Sequence, residues 1–153
     1  MPDTSPWVIE FSGAGRAKLV NHSGAAALVL HDALLQPSRL ELSSADGKPL
    51  APEDTRAVKK FDQNAYEESF QSVPAGGELA LFELEVTASG DSFELAWGPF
   101  RFHAVPRGHY RARVSFESVR KEYVDPETRR SRELPGVWLG SAKSSLVTLS
   151  IPP

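Results

Sequence analysis

The four histidines, His22, His31, His103 and His109, are the side chains best suited to acid–base or metal chemistry. Zinc sites and metalloprotease motifs place ligands at i, i+2 or i, i+4, so that both point to one side of an element. No histidine pair has that spacing, and no His-Glu-x-x-His occurs. His31 and Asp32 are adjacent, so on a strand they face opposite ways. His103 and His109 flank Pro106 and can approach one another, but two ligands do not complete a site. Glu83 and Glu85 share a strand face, as paired acids do in glycoside hydrolysis, although a solvated face accounts for them more simply. A Ser-His-Asp triad lacks a Gly-x-Ser-x-Gly elbow to hold its nucleophile. Gly13-Ala14-Gly15 has no third glycine and no following helix, unlike a dinucleotide fingerprint. Asn21-His22-Ser23 matches the glycosylation sequon, a pattern common by chance. The expectation is a protein that is not an enzyme and holds no metal or cofactor.

Charge offers a different chemistry. The net charge is −3, but residues 1–100 carry 7 Lys/Arg against 15 Asp/Glu, and residues 101–153 carry 10 against 5. Either the two halves neutralise one another or the late basic residues form a face for an acidic partner. The basic set comprises Arg111, Arg113, Arg120, Lys121, Arg129, Arg130 and Arg132. Nucleic-acid binding would require interleaved aromatics for stacking, and Tyr123 alone is well placed. Glu117, Glu122, Asp125, Glu127 and Glu133 interrupt the run, which favours local ion pairing and no nucleic-acid partner. The connection from Lys121 to Val137 is long and polar, features that often accompany function. Leu134 or Trp138 at its end can anchor a protein partner; Trp138 can equally be a core residue opening the last strand. The candidate partner-binding residues are therefore Arg111, Arg113, Tyr123, Arg129, Arg130, Arg132, Leu134 and Trp138.

The elements that must position these residues read as strands. Trp7, Ile9 and Phe11 alternate onto one face, and Gly13-Ala14-Gly15 turns the chain into residues 16–20. Asn21-His22-Ser23-Gly24 is a turn, and residues 25–30 form an apolar run of strand length. Residues 38–42 alternate into Asp46-Gly47, a strong hairpin signal. Residues 52–58 can form one helical turn, with Pro52 near its start and acids at the positive end of the dipole. In 79–86 the phase sets Ala80, Phe82, Leu84 and Val86 on one face. Leu79 and Leu81 fall out of phase, which predicts a bulge or a strand covered on both sides. Phe93, Leu95 and Trp97 share a face up to Gly98-Pro99. Tyr110, Ala112, Val114 and Phe116 point one way, with Arg111, Arg113 and Ser115 the other. Val147, Leu149 and Ile151 close the pattern.

Without cysteine, disulfides, a thiolate ligand and a Cys nucleophile are excluded. At 153 residues, with no linker or internal repeat, the chain reads as one domain, 1–153. No apolar run approaches the length of a membrane span. No signal peptide is visible at Met1 to Pro6. A soluble cytoplasmic protein is expected, or a periplasmic or secreted one if a leader has been removed.

Pro106-Arg107-Gly108-His109-Tyr110-Arg111-Ala112-Arg113-Val114 resembles the Gly-x-Tyr-x-x-x-Val stretch that begins a late strand in bacterial immunoglobulin-like and fibronectin-type domains. In that family the tyrosine often forms a corner, its hydroxyl bonded to nearby backbone. Val73-Pro74-Ala75-Gly76-Gly77-Glu78 looks like the turn before a middle strand, and 136–151 looks like the last strand. The resemblance runs from residue 73 onward. The strand pattern itself gives an all-β fold of seven to nine strands, a sandwich or barrel with at most one short helical turn, and the resemblance implies an antiparallel immunoglobulin-like β-sandwich. It implies hardly any activity. Gly76-Gly77 and Pro135-Gly136-Val137-Trp138 also echo two loops of the chagasin-type peptidase inhibitors, while Asn21-His22-Ser23-Gly24 departs from the third. The expected function is a non-enzymatic module recognising a protein partner through loops or one sheet face. The alternative is an inhibitor or immunity-type protein that occludes a peptidase or toxin through residues 121–138.

Overall fold

The computed structural model describes residues 6–32, 35–57 and 64–153. The described chain is all-β, with antiparallel sheets. In chain order the strands are β1 (Trp7–Phe11), β2 (Arg16–Asn21), β3 (Ala27–Leu30), β4 (Ser38–Ser44), β5 (Pro49–Leu50), β6 (Glu53–Asp54), β7 (Phe70–Val73) and β8 (Glu78–Glu83). They continue as β9 (Glu85–Ser89), β10 (Ser92–Trp97), β11 (Phe100–Pro106), β12 (Gly108–Ser118), β13 (Glu122–Val124), β14 (Ser131–Glu133), β15 (Gly140–Lys143) and β16 (Val147–Ile151). Short 3-10 turns occupy Thr55–Ala57 and Glu67–Ser69. The first lies within the window where the sequence places a helical turn; Val58, at the end of that window, is outside the described residues. No helix among the described residues is long and apolar enough to cross a membrane.

Four sheets share one core; the smallest is the antiparallel pair β3–β7, which contributes Val29 and Val73, and the other three are larger. One has the order β1-β2-β8, the second β6-β11-β10-β9, and the third β15-β12-β4-β5 with β16 also paired to β12. The eleven-residue β12 is the hub, because β4 lies along one edge while β16 and then β15 lie along the other. Period-2 alternation sends Tyr110, Ala112, Val114 and Phe116 inward, where Leu40, Leu42, Leu149 and Ile151 from the flanking strands meet them. Phe93, Leu95 and Trp97 enter the same core from β10. The fully buried Trp97 donates its indole N–H to the Ser38 hydroxyl at 3.3 Å, so this ring leaves no buried donor unpaired. Phe11 and Phe82 meet its rings edge-on, with centroids 6.1 and 6.0 Å away.

The β8 segment corrects one expectation. Leu79 and Leu81 are the buried residues, and Ala80 is exposed. The β2–β8 register slips between Arg16 and Lys18, and the ladder breaks at Leu84, whose amide bonds instead to the Gly15 carbonyl at 2.8 Å. Between Ala80 and Glu83 strand β8 holds one residue more than β2 does opposite it, a bulge of the kind the out-of-phase leucines predict, so Phe82, Leu84 and Val86 pack on the core from beyond Leu81.

Strand β11 was not marked by the pattern. Phe100 and Phe102 alternate inward, but Ala104 adopts φ 51° and the register shifts opposite Phe93 and Leu95, returning Val105 to the core. The run 25–30 narrows to β3, since Ala25 and Ala26 are exposed. The polar connection 121–137 is not a simple loop. It folds into the β13–β14 hairpin, and its base rests on a second apolar cluster of Leu30, Ala65 and Phe70.

Candidate partner-binding groove

Strands β4 and β12 pair with Arg39 opposite Ser115, Glu41 opposite Arg113, and Ser43 opposite Arg111. The alternation that buries Leu40, Leu42, Ala112 and Val114 therefore turns these six polar residues to the other face. They line a groove of about 430 Å³. Pro49, Leu50 and Pro52 also line it, as does Leu146, an apolar residue left 57% exposed. Strand β5 contributes its wall because Asp46-Gly47 turns the chain back at the end of β4, with Gly47 at φ 90° and its amide on the Ser44 carbonyl at 2.9 Å.

Charge in the groove is uneven along the strands. In the middle row Arg113 Nε donates to Glu41 Oε2 at 2.8 Å, a partly solvated cross-strand pair. At one end Arg111 is exposed and has no ion-pair partner among the described residues. At the other end the Arg39 guanidinium lies 5.3 Å from the centroid of the Phe100 ring, and Arg56 lies 5.1 Å from the same ring. Arg56 is committed to Asp54 through two bonds of 2.9 and 2.8 Å. That pairing holds the Asp54 carboxyl below its usual range, chiefly through the Arg56 hydrogen bond. Arg39 stays in no ion pair among the described residues. The groove thus has at its ends two arginines outside any ion pair among the described residues, Arg39 also lying over Phe100 and adding to the field at Asp54, with a compensated pair between them.

The sequence-derived candidates divide between two places. Arg111 and Arg113 lie in the groove; the remaining six do not line it. Arg129 and Arg130 are exposed at the tip of the β13–β14 hairpin, where Arg129 adopts φ 59°. Arg132 pairs with Asp125 at 3.3 Å. Tyr123 and Leu134 pack against the second apolar cluster, and the Val124 amide bonds to the Ala65 carbonyl at 2.7 Å. Trp138 stacks on Trp7 with centroids 4.7 Å apart and lies 6.1 Å from Phe116. Of the two roles open to it in the sequence, the packing is that of a core residue. Arg39, Glu41, Phe100 and Leu146 were missed. The alternation of 38–42 marked Arg39 and Glu41 as outward-facing, but no sequence signal names β12 as the neighbour of β4.

The histidines go to separate places. His31 Nε2 contacts the Ala80 carbonyl at 2.8 Å, and His109 Nδ1 contacts the Ser150 hydroxyl at 3.1 Å. His103 sits between Glu94 (2.7 Å, at Nδ1) and Glu53 (3.4 Å, at Nε2). Hydrogen bonds to Glu94 first, then Glu53, raise its pKa above the ordinary value. The two carboxylates occupy opposite ring nitrogens, an arrangement for ion pairing and not for a shared metal, and no metal-holding group of three such residues is found among the described residues. Asn21, the sequon residue, is fully buried. Its amide nitrogen donates to the carbonyls of Ala25, Val73 and Pro74 at 3.0 to 3.2 Å, and its oxygen accepts from Ser23. It staples the β2 turn to the end of β7, and the nitrogen a glycan would require is occupied inside the fold.

Comparison with protein-family models, with curated proteins and with solved structures finds no match.

Proposed function

We propose that the chain is a non-enzymatic protein-binding module, built on an immunoglobulin-like β-sandwich, that recognises a protein partner through the outer face of the β4–β12 sheet. Two features support the sandwich. Early strands β1 and β2 join the middle strand β8 in one sheet, while β4 joins the late β12, β15 and β16 in another, and both feed one core. The Tyr110 hydroxyl, near the start of β12, donates to the Pro106 carbonyl at 2.6 Å, the corner that the resemblance leads one to look for.

The observation that carries the binding reading is the groove itself: two exposed arginines outside any ion pair among the described residues, beside an exposed leucine and a wall containing two prolines. Arginine, with its five donors in a rigid fork, suits carboxylate recognition at interfaces. The test is affinity capture with the wild-type chain and an Arg39→Glu/Arg111→Glu variant, followed by direct binding of the captured protein in purified form. A partner retained by the wild type and lost by the variant, with unchanged melting, supports the reading. Equal retention removes the groove from consideration.

A second reading uses the β13–β14 hairpin as the occluding loop of an inhibitor or immunity-type protein. Its favouring observation is that the exposed tip, residues 126–130, stands on an anchored base, with Lys121–Glu133 at 2.5 Å and Arg132–Asp125 at 3.3 Å bracing the hairpin. Replacing residues 126–129 by a two-residue turn separates the readings, since only the inhibitor loses its partner by that change.

A further inference from the structure

The groove has a spacing as well as a charge, and the spacing limits what fits. Resting on the binding reading above, we propose that its occupant is an extended acidic segment of the partner protein that carries carboxylates at positions i and i+4 and an uncharged residue at i+2. The argument starts from the register. The Arg39 row and the Arg111 row are separated by the Glu41–Arg113 row, so the two arginines are rooted four residues apart along the sheet, on neighbouring strands. At the rise of a β-strand this is about 13–14 Å. An extended chain lying along the strands repeats its sheet-facing side chains with the same rise, so residues i and i+4 reach the two arginines together. The residue between them then sits over the Glu41–Arg113 pair, whose charges are already matched at 2.8 Å. An acid at i+2 meets Glu41 and a base meets Arg113; an uncharged residue meets neither penalty.

The walls agree with a peptide. Pro49, Leu50 and Pro52 line the groove together with Leu146. They offer apolar contact to side chains leaning off the backbone, and proline presents no donor that would compete for it. A polyphosphate chain fits worse, because its charge is continuous and one phosphate must lie against Glu41. The aromatic ring at the site, Phe100, is 6% exposed and has two guanidiniums within cation–π range, so it offers no platform for base stacking.

The experiment uses the full chain and short fluorescent peptides, read by anisotropy at low and moderate salt. One peptide carries Glu at i and i+4 with Ser at i+2; its permuted partner carries the same residues with Glu at i and i+1. The spaced peptide is expected to bind at least about tenfold more tightly, since the permuted one reaches one arginine at a time. Arg39→Ser and Arg111→Ser are each expected to weaken the spaced peptide by about tenfold and to bring the two peptides closer to equal affinity. Arg111 is exposed and outside any ion pair among the described residues, so the Arg111→Ser melt should overlay the wild type, whereas Arg39→Ser also loses the contact over Phe100 and should melt slightly lower. Equal affinity for the two peptides, or insensitivity to Arg111→Ser, overturns the proposal. So does displacement of the peptide by a single-stranded oligonucleotide at lower concentration, which would identify a polyanion site. If a captured partner still depends on Arg39 and Arg111 while neither peptide binds, the spacing rule falls and the binding module stands.

Discussion

Replacing Trp138 by alanine tests whether this indole belongs to the core or to a binding surface. Its ring is stacked on Trp7 at 4.7 Å with an interplanar angle of 15°, and on Phe116 at 6.1 Å and 22°. Trp7 and Phe116 are 3% and 0% exposed, so the partners cannot swing out to close the gap. Truncation of a buried aromatic to alanine costs about 3–5 kcal/mol, and the half-buried state of Trp138 puts the expected loss at the lower end, about 3 kcal/mol. The hydrogen bond from the Ser118 hydroxyl runs to the Trp138 carbonyl and survives the change. For a chain of this length the loss corresponds to a melting temperature lower by roughly 6–12 °C. Urea unfolding, followed by the fluorescence of Trp7 and Trp97, should show a lower midpoint with an unchanged slope. Trp138→Phe should recover more than half of the loss. A cost under about 1 kcal/mol, paired with abolished partner binding, would refute the packing argument and make the indole a surface anchor.

Tyr110→Phe removes the hydroxyl that donates to the Pro106 carbonyl and should cost about 1–2 kcal/mol by chemical denaturation; no measurable change would show that water replaces the bond fully. Gly98→Ala should destabilise by about 2 kcal/mol or more, because the residue has φ 55° and a Cβ would fall 2.5 Å from the Phe82 ring; Gly47→Ala, at φ 90° with open space around it, should show only the smaller backbone cost. An equal effect of the two glycine changes would count against the Phe82 contact. His103 has a raised pKa in the fold, so its bridge to Glu94 and Glu53 contributes below the unfolded value, near 6.5, and fades as pH rises through the higher folded value. His103→Gln should therefore melt below the wild type around pH 5–6 and coincide with it at pH 9, and a difference that grows toward high pH would contradict the assignment.

The legibility of the sequence followed the regularity of each strand. In β12 the alternation runs unbroken over eleven residues, and the buried set Tyr110, Ala112, Val114 and Phe116 is the set that the pattern names. The same holds for Phe93, Leu95 and Trp97, and for Leu149 and Ile151, because a two-residue period needs nothing beyond local geometry. Where one residue is out of step the inference inverts. The extra residue of β8 between Ala80 and Glu83 put Leu79 and Leu81 in the core in place of Ala80, and the positive φ at Ala104 hid β11, although Phe100 and Phe102 were in view. Both irregularities depend on the pairing partner across the ladder, β2 in one case and β10 in the other.

The groove lies wholly on the tertiary side of that boundary. The sequence by itself determined that Arg39 and Glu41 alternate with core leucines, and that Arg111 and Arg113 alternate with core residues 70 or so positions later. It also determined the all-β character, through short alternating runs separated by glycine, proline and asparagine turns. Tertiary structure decided that these two runs are neighbours, in the register that pairs Arg113 with Glu41 and leaves Arg39 and Arg111 outside any ion pair among the described residues. It likewise packed Tyr123, Leu134 and Trp138 against the protein's own apolar clusters while leaving each partly exposed. The reason is physical: alternation is written in each residue's immediate neighbours, whereas strand order and register come from the burial of the whole core at once.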